Sequence, residues 1–143
     1  MHADVRWIGK TAFAGRSGSN HWVTMDSTYD GGDGAAASPM EFLLLSLAGC
    51  TAVDVKAVLR KMRQRLDALE VAVEGTQADT TPKVFEAIHM VYVVRGRGLD
   101  PAKVEKAVRM SRDKLCSVSR MLEATVKISH EIRVEDTEEG GGA

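Results

Sequence analysis

The chain has two cysteines, Cys50 and Cys116, and they are its most chemically distinctive residues. A thiolate is a nucleophile, a metal ligand and the first rung of the ladder from sulfenic acid to disulfide. Near neutral pH a free cysteine is only a few per cent thiolate, and burial within a helix lowers that fraction because desolvation disfavours the charged form. A reactive Cys50 therefore requires a cation delivered from another element. Arginine suits the task, since it stays charged and offers a planar fork of donors to a peroxide oxygen. Arg16, in the glycine- and serine-rich segment 15–19, is the candidate, expected on a flexible loop; Arg95, Arg97 and Arg120 are competitors. Metal ligation is the weakest use of the thiols. There is no Cys-x-x-Cys, and His2, His21, His89 and His130 show no ligand spacing with either cysteine, so neither metal nor cofactor is expected. Each cysteine taken alone also reads as inert packing, free cysteine being among the most buried residue types.

The element that positions Cys50 announces itself in Ser38-Pro39-Met40-Glu41. Ser38 can cap a helix, Pro39 suits its first position, and Glu41 can reach back as the capping-box partner. Phe42, Leu43, Leu44, Leu45, Leu47 and Ala48 follow, apolar on nearly every face, so this stretch is expected to be buried on all sides. Beyond Cys50 the pattern becomes amphipathic and ends in Arg60, Lys61, Arg63 and Arg65, which complement the negative end of a helix dipole. The helix is expected from about Pro39 to about Arg63, ~37 Å long, with sheet wrapped around it.

Before it, Val5–Ile8, Thr11–Ala14 and His21–Asp26 read as three short strands, and Tyr29–Ala37 as a loop. After it, alternation marks strands over Leu69–Glu74, Val84–Arg95 and Val126–Val134. Asp100-Pro101 opens a second helix reaching about Leu115, and a short third one follows from Ser117 or Val118 to Ala124. The order βββ-α-ββ-αα-β, with consecutive strands paired antiparallel, predicts an α+β fold. Residues 1–143 make one domain, with 135–143, acidic then glycine-rich, a tail without fixed structure.

The 143 residues are 44% hydrophobic and 27% charged, with a formal net charge of −1. That balance gives no basic footprint for nucleic acid and no pull toward anionic membranes. Residues 1–10 lack the apolar core of a secretory signal, and no membrane-spanning run is expected. The expectation is a cytoplasmic protein, in a compartment that keeps thiols reduced.

Ser38-Pro39-Met40-Glu41 followed by apolar residues and Ala48-Gly49-Cys50 resembles the first cysteine motif of the OsmC/Ohr superfamily. Leu99–Leu122, with Cys116-Ser117-Val118-Ser119-Arg120, is similar to its second, and the likeness covers residues 3–134. Within the superfamily it is most similar to the YhfA-like branch. The resemblance implies an intertwined homodimer in which sheets from both subunits enclose two long helices, with sites at the interface. It also implies a reaction: Cys50 attacks an organic hydroperoxide, Cys116 resolves the sulfenic acid as a disulfide, and a dithiol reductant, lipoyl or another thiol, resets the pair. Arg16 and Glu41 would then be the activating residues. Two departures stand out. Met40 occupies the position where peroxidase branches carry a glutamate, with the acid one residue on at Glu41. Ser117 stands where they commonly have proline. The alternative is a non-peroxidatic dimer of the same fold that binds a small apolar ligand or senses redox state.

Overall fold

The computed structural model describes residues 1–137 and gathers the chain into two compact units that divide between Leu43 and Leu44. The first is an antiparallel meander of β1 (Ala3–Gly9), β2 (Ala12–Ser17) and β3 (Trp22–Met25). The β1–β2 connection is tight because Gly9 and Lys10 take positive φ, 134° and 49°, which glycine adopts without steric cost. Segment 29–37 is a loop, as expected, with one 3-10 turn over Tyr29–Gly31, and it is tied down at Asp26. Asp26, buried at 4% exposure, accepts hydrogen bonds from the Thr11 hydroxyl (2.7 Å) and from the backbone N–H groups of Ser27 (2.7 Å) and Ala35 (2.9 Å). Those donors, Thr11 foremost, hold its carboxyl below the usual range.

Helix α1 (Pro39–Lys61) starts in the first unit and runs on into the second, which adds β4 (Arg65–Gln77), β5 (Phe85–Arg97) and β6 (Lys127–Asp136) as a sheet of order β4-β5-β6. Strands β4 and β5 pair antiparallel, but β5 and β6 pair parallel, contrary to the antiparallel pairing expected throughout. The cause is the crossover: α2 (Pro101–Met110) and α3 (Ser117–Leu122) lie between the two strands, and a long helical connection returns the chain to the end from which β5 began. Ile88, Met90, Tyr92 and Val94 fill one face of β5, each 1% exposed or less, and form the core with Leu47, Val55 and Leu59 of α1 and Val104, Ala107 and Val108 of α2. The Asp100 carboxylate caps α2 by accepting from the Ala102 N–H at 2.9 Å.

Three expectations are corrected here. The second helix does not stay α-helical to Leu115; it ends at Met110 and widens into a π turn over Ser111–Leu115. Burial of Phe42–Ala48 on all sides does not hold within one chain, where Leu47 is fully buried but Leu43 and Leu45 are 39% and 59% exposed. Glu135 and Asp136 belong to β6 rather than to the expected tail, and the tail's residues 138–143 lie outside the described residues. By length and composition α1 would also suffice to cross a membrane. Core helices pass the same test, and Leu47, Thr51, Val55, Val58 and Leu59 are buried here.

Candidate functional site

Cys50 lies in the middle of α1, and Asp54, one turn on, shares its helix face. Cys116 comes from the break after the π turn, where the backbone turns extended (φ −72°, ψ 106°) to cap α3. The two sulfurs and one Asp54 carboxylate oxygen all lie within 4.8 Å of one another. Both thiols are free, Cys50 half-buried and Cys116 2% exposed. Sequence separation could not show that the cysteines meet; the fold brings them together.

The Cys116 sulfur accepts from the Ser119 N–H at 3.4 Å, and its thiol is hydrogen-bonded to Cys50. Burial first, then the bond to Cys50, push the Cys116 thiol up to about 11, with the Ser119 N–H opposing them. Cys116 therefore keeps its proton at neutral pH. A stability consequence follows. Below the ordinary thiol range, roughly pH 8.5, both folded and unfolded Cys116 are protonated. Between there and about 11 the unfolded chain loses the proton while the native one holds it, so stability declines as pH rises through that window. Urea midpoints measured across it should fall more steeply for the wild type than for Cys116→Ala, and the native Cys116 thiol should resist alkylation until that window is passed. Equal slopes would contradict the assignment.

Behind the pair runs a chain of buried hydroxyls. Ser111 Oγ donates to Asp54 Oδ2 at 3.2 Å. Since the carboxylate only accepts, Ser111 accepts from Thr51 (2.8 Å), and Thr51 accepts from Tyr92 (2.8 Å). Burial raises the Tyr92 phenol above its ordinary range, which keeps it a donor. Arg112, on the π turn, sends its guanidinium to His130 Nδ1 and to the Ile128 carbonyl (2.9 Å), while its Nε is buried without a partner among the described residues. Burial, then the Arg112 charge, lower the His130 pKa. A hollow of about 300 Å³ lies at Cys116, lined by Arg112, Lys114, Leu115, Arg120 and Met121 among others.

The other two sequence-predicted residues belong to the first unit. Arg16 is in β2, not on a flexible loop, because Ala12–Ser17 pairs with strands on both sides. Its Nε and Nη2 donate to Asp4 Oδ2 at 3.1 and 3.0 Å, and its guanidinium stacks 5.4 Å from the Trp22 ring centroid. Glu41 closes the expected capping box, accepting from the Ser38 N–H at 2.7 Å while its own N–H donates to Ser38 Oγ at 3.2 Å. The Ser38 N–H first, then the Ser38 side chain, lower the pKa of its carboxyl. Sequence reasoning missed Asp54, Ser111, Thr51 and Tyr92. Only Asp54 left a signal, its i+4 spacing from Cys50. Cys50, Asp54 and Cys116 together also offer a donor set that could hold a metal ion.

A family profile described as "OsmC-like protein" matches residues 31–131. Protein YhfA of Escherichia coli K12 is 40% identical over 134 residues, covering 94% of this chain and 98% of the relative. An organic hydroperoxide resistance protein OsmC from Legionella pneumophila superposes with a TM-score of 0.70 at 17% identity, over 93% of this chain and 96% of its own. The organic hydroperoxide resistance protein OhrB of Bacillus subtilis gives 0.62 at 19% identity, over 93% and 98%. At such identities the two structures establish a shared α+β fold.

Proposed function

Because the chain belongs to the family of OsmC-like proteins, we propose that it is a cytoplasmic thiol-dependent hydroperoxide reductase, with Cys50 peroxidatic and Cys116 resolving. The observation that carries this is the meeting of the only two thiols within 4.8 Å, one half-buried and one protonated. The Cys50 thiolate attacks the distal oxygen of an organic hydroperoxide. The O–O bond breaks, the alkoxide leaves and takes a proton as alcohol, and Cys50 becomes a sulfenic acid. Cys116 attacks that sulfur, forming the disulfide and releasing water. A dithiol then exchanges with the disulfide, returning both thiols and leaving oxidised itself; the hollow at Cys116 is its route of approach.

In this scheme the activating charge is assigned to Arg16, whose guanidinium is held by Asp4 and Trp22. Glu41 is engaged in the helix cap, and Met40 stands at the glutamate position of the peroxidase branches. We infer a homodimer. Leu45 and Val53 of α1, 59% and 69% exposed, are apolar surface that a second copy would cover.

The second reading, a redox-sensing or ligand-binding dimer, is favoured by Asp54, whose carboxylate lies within 4.8 Å of both sulfurs. Rapid mixing of the reduced protein with an organic hydroperoxide and, separately, with hydrogen peroxide tells them apart. A reductase consumes the organic oxidant faster than the inorganic one and turns over when a dithiol is supplied. Oxidation no faster than that of a free thiol would leave only the second reading.

A further inference from the structure

We propose that the reduced pair Cys50 and Cys116, together with Asp54, forms a binding site for a divalent cation of the zinc class, with three protein ligands and a fourth position open. The donor set selects the ion. Two sulfurs and one carboxylate suit zinc, whereas magnesium and calcium require oxygen shells. The geometry is nearly assembled. Zinc–sulfur and zinc–oxygen bonds of about 2.3 and 2.0–2.2 Å place tetrahedral ligand atoms roughly 3.5–3.8 Å apart. The three atoms here lie within 4.8 Å of one another, so closure asks for at most about 1.3 Å of adjustment in any pair.

The ligands are also held. Cys50 and Asp54 are spaced i, i+4 on the rigid face of α1. The Ser111 hydroxyl orients Asp54 from behind at 3.2 Å and is itself fixed by Thr51 and Tyr92, the outer-shell support that metal-binding carboxylates use. The site is half-buried to buried rather than a solvated surface cluster. Once binding has deprotonated the thiols, two thiolates and a carboxylate lie at this separation, and the dication offsets their mutual repulsion. Arg112 points its guanidinium at His130 and the Ile128 carbonyl. Binding requires the thiols to deprotonate and so releases protons. None of this depends on whether hydroperoxides are consumed.

The test is titration of the reduced, metal-free full-length protein with cobalt(II) as a spectroscopic probe, followed by displacement with zinc. One cobalt per chain with a thiolate-to-metal charge-transfer band, bleached by zinc, is the expected result. Cys50→Ser and Cys116→Ala should each abolish that band. Asp54→Asn should keep part of the band but weaken zinc binding by about 100-fold or more, since losing even an outer-shell partner costs roughly 10- to 100-fold. Thermal melts of each apo variant separate loss of a ligand from loss of the fold. Absence of the band in a folded wild type overturns the site, as does cobalt binding indifferent to Cys116→Ala. Unchanged zinc affinity in folded Asp54→Asn also overturns it.

Discussion

Cys50→Ser is expected to lower the rate of organic hydroperoxide consumption by roughly 10³-fold or more, because removing the attacking atom leaves only positioning to act on the substrate. The serine hydroxyl has nearly the size of the thiol, and Cys50 is half-buried on a helix whose fixed points are Leu47, Thr51, Val55 and Leu59, so the fold should persist. Cys116→Ser should behave differently. It keeps the first oxidation, since Cys50 still attacks, but loses disulfide closure. Its product is a sulfenic acid that a small trapping reagent captures, and turnover with a dithiol should fall while the single-turnover step survives. Pre-steady-state mixing with mass analysis checks both. Equal rates in Cys50→Ser and wild type would remove Cys50 from the chemistry, and indistinguishable defects in the two variants would remove the division of labour.

Leu59→Ala should destabilise the protein by about 2–5 kcal/mol, the range for deleting a fully buried leucine and leaving a cavity. Leu59 is 0% exposed in α1. Leu45, the same residue type on the same helix, is 59% exposed within one chain, so its truncation should cost under about 0.5 kcal/mol for an isolated subunit. If a second copy covers Leu45, the destabilisation in Leu45→Ala will instead depend on protein concentration, because the packing that the leucine provides then lies between copies. Urea unfolding of both variants at two concentrations checks the pair. A Leu59→Ala variant as stable as wild type would contradict a core built around α1.

Much of the fold was legible because its signals are local. The capping box of Ser38 and Glu41 with Pro39 fixed the start of α1. Asp100-Pro101 did the same for α2, and period-two alternation marked the strands. Strand direction was not legible: Lys127–Asp136 alternates identically whether it runs with β5 or against it, and only the length of the crossover decides. The π turn over Ser111–Leu115 holds a single apolar residue, Leu115, so no periodicity sets it apart from the helix before it, yet its extra residue per turn sets where Cys116 falls. The site divides along the same line. The cysteines were visible as residue types. Asp54 read as one more polar residue on an amphipathic helix, because its meaning comes from Cys116, which a distant segment delivers. The apolar run after Phe42 gave the right hydrophobicity but no sense of what covers it, since composition does not distinguish a buried core from a face open in the single chain.

The most direct measurement is thiol stoichiometry. Reduced protein is given organic hydroperoxide in sub-stoichiometric steps, remaining thiols are counted, and peptides are mapped without reduction. Two thiols should disappear per hydroperoxide, with Cys50 and Cys116 recovered joined in one peptide pair. Loss of one thiol per equivalent with no linked peptide, or a mapped bond that omits either cysteine, would contradict their action as a redox pair.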